Sequence, residues 1–106
     1  MEHITVEQLK TRLDSGEVLN VLDVRELEEY QQMNMGAHLL PLSRLRQMDA
    51  EEIEDWKGKE VIVHCHSGKR SLEACLLLET MGFEQTVNVT GGIVAWNERY
   101  GDTKLS

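Results

Sequence analysis

The sequence is short of cysteine, of positive charge and of long apolar runs, and each shortage excludes a class of protein. Two cysteines, Cys65 and Cys75, are too few for a disulfide framework. Eleven basic residues against nineteen acidic ones leave a formal charge of -8. That is the wrong sign for nucleic acid or an anionic membrane surface as partner. No apolar stretch approaches the length of a bilayer span, and Met1 to Lys10 lacks the apolar core of a signal peptide. Repeats, linkers and low-complexity segments are also missing. The expectation is a cytoplasmic protein in a reducing setting, away from membranes. With 106 residues the chain suffices for one core and not for two, so 1–106 reads as one domain with a polar tail from about Gly101.

What the sequence does contain is an alternation of strand and helix patterns. Thr5-x-x-Gln8 reads as a capping box opening a helix with Val6, Leu9 and Leu13 on one face, stopped near Gly16. Val18 to Val24 reads as a strand covered on both faces, followed by a helix over Glu26 to Gln32. Leu39-Leu40 before Pro41 suggests a short strand, Ser43 a cap for a short helix, and Asp49 to Asp55 a solvated acidic turn. Glu60 to His64 is a strand, and Leu72, Cys75, Leu76 and Glu79 stand at helical spacing within Ser71 to Met81, closed by Gly82. Thr86 to Val89 is another strand. Gly91-Gly92 turns into a last helix carrying Ile93, Val94 and Trp96, and the tail beyond reads as frayed. This rhythm predicts an α/β fold with a parallel sheet and helices on both faces, where ligands sit outside the carboxyl ends of the strands.

Cys65 occupies such a strand end. The loop after it, His66-Ser67-Gly68-Lys69-Arg70-Ser71, leads directly into a helix. Successive N–H groups in a strand–loop–helix turn can converge on one point at the positive end of the helix dipole, and Gly68 supplies the positive φ this requires. Such surroundings, with Lys69 and Arg70 beside them, lower a cysteine pKa and populate thiolate. From Val61 to Leu72 the chain carries no carboxylate, so a cationic spot on an acidic body is expected, suited to a small anion. His64-Cys65-His66 does not make a metal site, because strand alternation sends the cysteine away from both histidines and no second ligand pair stands at usual spacing. Cys75, beside Leu76 to Leu78, reads as core.

Four stretches together resemble the rhodanese family. They are Leu22-Asp23-Val24-Arg25-Glu26-Leu27-Glu28-Glu29-Tyr30, Pro41-Leu42, Cys65 to Ser71, and Gly91-Gly92-Ile93-Val94-Ala95-Trp96. The resemblance is to single-domain, thiosulfate-type members. It implies a rhodanese-like, five-stranded, mainly parallel sheet flanked by helices, and a cysteine that carries sulfane sulfur as a persulfide. The pattern departs at Gln32-Met33-Asn34-Met35-Gly36-Ala37, where many members read Gly-His-Ile-Pro-Gly-Ala. Under this resemblance Cys65 is the nucleophile, and the His66 to Ser71 amides hold the persulfide. Lys69 and Arg70 draw in a small anionic sulfur donor such as thiosulfate and stabilise departing sulfite. From their place at a strand end, Asp23 and Arg25 read as a structural ion pair or hydrogen-bonded support of the loop rather than as catalysts. The acceptor is a thiol, on a small molecule or a protein, or cyanide, and no metal, nucleotide or organic cofactor is required.

Two other readings stay open. A carrier would hold sulfur for a protein partner without turning over small donors. A cysteine phosphatase or arsenate reductase would also use a thiolate in an amide cradle, but needs Cys-x5-Arg, and here that arginine position is Ser71 while Arg70 stands at Cys-x4-Arg.

Overall fold

The β-branched runs of the sequence become the centre of a sheet. In the computed structural model, which describes residues 1–105, five strands pair in the order β1-β5-β4-β2-β3. They are β1 (Glu2–Ile4), β2 (Val21–Asp23), β3 (His38–Leu39), β4 (Glu60–His64) and β5 (Gln85–Val89). Every neighbouring pair is parallel. Strands in such a sheet are covered on both faces, which is why β4 and β5 each bury four of their five residues, the apolar run Val61 to Val63 among them.

Alternation along each strand feeds two cores. On one face Leu22, Val61 and Val63 pack with Leu42 and Leu45 of α3 (Leu42–Leu45), Ile53 of a 3-10 helix (Glu51–Trp56), and Ala74, Cys75 and Leu78 of a long helix, α4 (Lys69–Thr80). On the other, Val21, Ile62, Val87 and Val89 pack with Val6 and Leu9 of α1 (Val6–Asp14) and Ile93 and Trp96 of α5 (Gly92–Tyr100). The remaining helix, α2 (Leu27–Gln32), buries no residue and follows the carboxyl end of β2. The capping box of α1 forms as its spacing predicts, with Thr5 Oγ accepting from Gln8 N and Gln8 Oε1 accepting from Thr5 N. No helix among the described residues is long and apolar enough to cross a membrane.

Several local expectations are corrected. Val18 is 97% exposed and outside β2, because the sheet begins only where β4 lies alongside, at Val21 opposite Ile62. Ser43 does not cap α3; Pro41 precedes that helix, and Ser43 lies within it, donating to Glu26. Leu72 and Leu76 are exposed, while Ser71, Ala74, Cys75 and Leu78 form the inward stripe of α4. Of that stripe Ser71 meets the Cys65 sulfur, while Ala74, Cys75 and Leu78 pack in the first core. The tail as far as Leu105 is tied down instead of frayed, Ser106 lying outside the described residues: Trp96 Nε1 donates to the Thr103 carbonyl and the Leu105 amide to that of Met35, closing Leu105 over the second core. Glu2–Ile4, too short and polar to read as a strand, joins the sheet beside β5.

Candidate active site

Cys65 follows β4, which is paired on both sides by β2 and β5, so the sulfur stands at the carboxyl end of a central strand. It is only 1% exposed. The chain then turns through His66 to Gly68, whose φ of +108° only glycine adopts cheaply, and α4 starts at Lys69. This turn points amides at the sulfur: the Gly68 N–H donates to Sγ at 3.1 Å, and the Ser67 and Ser71 amides face it too. The Ser71 hydroxyl lies 3.4 Å away.

The carbonyls of the loop point elsewhere. Those of Cys65 and His66 accept from the Ile93 and Val94 amides at 2.9 and 3.1 Å, so the first turn of α5 is capped by the loop's own backbone. Gly92 makes this approach possible. It has φ +54°, and a Cβ there would lie 2.5 Å from both carbonyl oxygens.

Two opposed effects act on the thiol. Burial pushes the Cys65 pKa up, but the contacts of the sulfur with the Ser71 side chain and with the Ser71, Gly68 and Ser67 amides outweigh it, and the net shift is down. Cys75, buried and without that cradle, is pushed up to about 11. The two thiols therefore differ in chemistry although both are buried.

The two cations part company. Lys69 is exposed and has no ion-pair partner among the described residues. Arg70 is not a free cation: both its terminal nitrogens bind the Glu29 carboxylate, at 2.7 and 2.8 Å. Glu29 also accepts the Glu26 amide, and chiefly through Arg70 its pKa falls to about 2. The loop carries no carboxylate of its own, but α2 delivers one to it. Ser71 is wholly buried behind the sulfur, not on a surface open to ligand, and donates to Asn88 Oδ1. His66 and Ser67 are exposed on the rim. His66 forms one side of a groove of about 240 Å³ that Glu29, Gln32, Met33 and Asn97 complete.

Asp23 and Arg25 form a buried ion pair at 2.8 Å, and Arg25 also binds the Met33 carbonyl at 2.8 Å, fastening the end of α2 to the end of β2. Neither is bonded to the sulfur. Behind it, buried His64 lies 3.5 Å from Asp23 and 3.2 Å from the Cys65 carbonyl, and burial lowers its pKa. Among the described residues no group of three or more His, Cys, Asp or Glu is placed to hold a metal ion.

Sequence reasoning missed three participants. Asn88 is signalled only as the polar break in the Thr86–Val89 run. Glu29 gives no signal, being 41 residues from Arg70. Gly92 is legible as a turn, but not as the point where α5 meets the loop.

Comparison with known proteins agrees with this geometry. Residues 5–99 match the Rhodanese-like domain family. The chain is 36% identical over 107 residues to YtwF of Bacillus subtilis, named as a candidate sulfurtransferase, covering 98% of this chain and 95% of that one. It is 37% identical over 94 residues to YrkF of the same organism, named as a candidate sulfur carrier, covering 88% of this chain but only 49% of YrkF, so it spans about half that relative's length. A rhodanese-like domain protein from Staphylococcus aureus superposes with a TM-score of 0.78 at 30% identity, covering 91% of each chain. A cysteine loop at the end of the middle strand and a family match running through nearly every element lead to one assignment: the chain belongs to the rhodanese family.

Proposed function

We propose that the protein is a sulfurtransferase in which the Cys65 thiolate takes sulfane sulfur from a donor such as thiosulfate, carries it as a persulfide, and passes it to a thiol or cyanide. The observation that carries this reading is the convergence of the Ser67, Gly68 and Ser71 amides on a thiol whose pKa is lowered despite burial. In loading, the thiolate attacks the outer sulfur of thiosulfate. A new S–S bond forms, the old one breaks, and sulfite leaves with the electron pair. In unloading, the acceptor attacks that outer sulfur and Cys65 leaves as thiolate. The amides of His66 to Ser71 hold the anion in both steps, and Lys69, on the rim, meets the incoming donor. Asp23 and Arg25 brace the loop from behind. A reducing compartment such as the cytoplasm suits two free thiols.

Intact mass spectrometry after incubation with thiosulfate tests the reading. One added sulfur on Cys65, removed by cyanide and absent from Cys65→Ser, is expected. Normal turnover of thiosulfate and cyanide by Cys65→Ser removes the assignment. The likeness to YrkF favours a second reading, a persulfide carrier serving a protein acceptor. A stable sulfur adduct formed without thiosulfate turnover selects it.

A further inference from the structure

Resting on that reading, we infer that Glu29 is a specificity-determining residue, which by pairing with Arg70 withholds that cation from the donor and biases loading toward persulfides over thiosulfate. Of the two positive charges the loop sequence offers, one is spent inside the molecule. Arg70 meets Glu29 through both terminal nitrogens, and Glu29 is itself held by the Glu26 amide and by Arg25, which contacts its backbone carbonyl at 3.5 Å. The arginine remains within electrostatic reach of the Cys65 charge, and Glu29 lines one groove together with His66, so the carboxylate stands on the same rim as the loop. An approaching anion meets Lys69 and a neutralised pair.

The two donor classes feel this differently. Thiolate attack on thiosulfate gathers three negative charges, later shared between the persulfide and sulfite. Attack on a low-molecular-weight persulfide, R–S–SH, gathers one. There Cys65 bonds to the outer sulfur, the donor's S–S bond breaks, the proton stays on the transferred sulfur or goes to solvent, and R–S⁻ leaves with the electron pair. A loop with little net positive charge therefore penalises the first far more than the second. Specificity built by withholding a favourable contact is a difference in binding, and a single carboxylate suffices to set it.

The experiment measures the rate at which one sulfur is added to Cys65, by quenched intact mass, with thiosulfate or cysteine persulfide as donor. The wild type, Glu29→Gln, Arg70→Ala and the double variant Glu29→Ala/Arg70→Ala are compared. Glu29→Gln is expected to raise the thiosulfate rate about threefold to fivefold at low salt, the scale of one partly exposed charge. This gain should shrink in high salt, while the cysteine persulfide rate changes less than about twofold. Arg70→Ala, leaving the carboxylate uncompensated, should lower the thiosulfate-to-persulfide ratio, and the double variant should return it to the wild-type value. An equal change with both donors, no thiosulfate gain in a Glu29→Gln protein of wild-type Tm, or a double variant as poor with thiosulfate as Arg70→Ala overturns the inference. If Glu29→Gln does not fold, the comparison of Arg70→Ala with the double variant decides. Failure of wild-type Cys65 to load from either donor brings down the sulfurtransferase reading, and this inference with it. Loading with an unaltered donor ratio in the variants brings down this inference alone.

Discussion

Ser71 and Asn88 act on the state of the sulfur without facing solvent. The Ser71 hydroxyl has a single proton, and it points to Asn88 Oδ1 although Sγ lies 3.4 Å from the same oxygen. When Cys65 ionises, that proton is more valuable on the sulfur, and a turn of the Asn88 amide that brings Nδ2 to face the Ser71 oxygen releases it, at the cost of the Nδ2 contact with His3. An aspartate cannot release it. Asn88→Asp should therefore retain the Ser71 proton, add a negative charge behind the sulfur and raise the Cys65 pKa. Ser71→Ala should raise it too, slowing alkylation at neutral pH about tenfold, the scale of one hydrogen bond to a charged group. The pH dependence of iodoacetamide labelling measures both. Unchanged profiles would mean that the loop amides alone hold the thiolate.

Among the elements, the contact between α5 and the loop is the least tolerant of change. A methyl at Gly92 would meet the carbonyl oxygens of Cys65 and His66 at 2.5 Å on a backbone of φ +54°. Gly92→Ala should therefore cost at least about 2 kcal/mol, combining left-handed strain with a clash that only backbone movement relieves. Denaturant unfolding checks this, and the variant should also lose the lowered Cys65 pKa because the amides lose their aim. Helix α4 shows the opposite case. Leu72 and Leu76 look like core in the sequence but are exposed, so Leu76→Gln should alter stability by less than about 0.5 kcal/mol, whereas Leu78→Ala should cost about 2 to 5 kcal/mol. Spacing marks that helix but not its rotation, because Ser71 and Ala74, neither strongly apolar, face inward, Ser71 against the sulfur and Ala74 into the first core. The central strands were easier to read, since Val61 to Val63 states its burial in its composition and Val87 and Val89 alternate with buried polar residues on β5. The cradle around Cys65 was legible because one glycine and one helix start are local features. The Arg70–Glu29 pair was not, because it depends on where α2 lands.

Across the whole molecule, acid should act in two pH windows, first through His64 and then through the paired carboxylates Glu29, Glu52, Glu73 and Glu79, of which Glu29 is taken as the example. Glu29 has its pKa lowered to about 2 from 4.5, so its contribution to stability is complete above the unfolded value and is lost as pH falls toward 2. The pair is about one-third exposed, which limits that contribution to about 1 kcal/mol or less. His64 is buried and its pKa is lowered from 6.5. Below 6.5 the unfolded chain takes up a proton that the folded one refuses, so stability declines from there as acid is added. Urea unfolding across pH should thus show a slope beginning near the histidine range, which His64→Gln flattens, and a later one at lower pH, which Glu29→Gln reduces in part because Glu52, Glu73 and Glu79 share it. A wild-type midpoint constant between neutrality and the carboxylate range would contradict the first.

The sheet also has consequences at its margins. Its outer strands, β1 and β3, are three and two residues long. Stubs of that length offer a foreign chain almost no ladder of unpaired amides and carbonyls to join. Copies of the molecule crowded together should therefore touch through their side chains and leave their backbones unstitched.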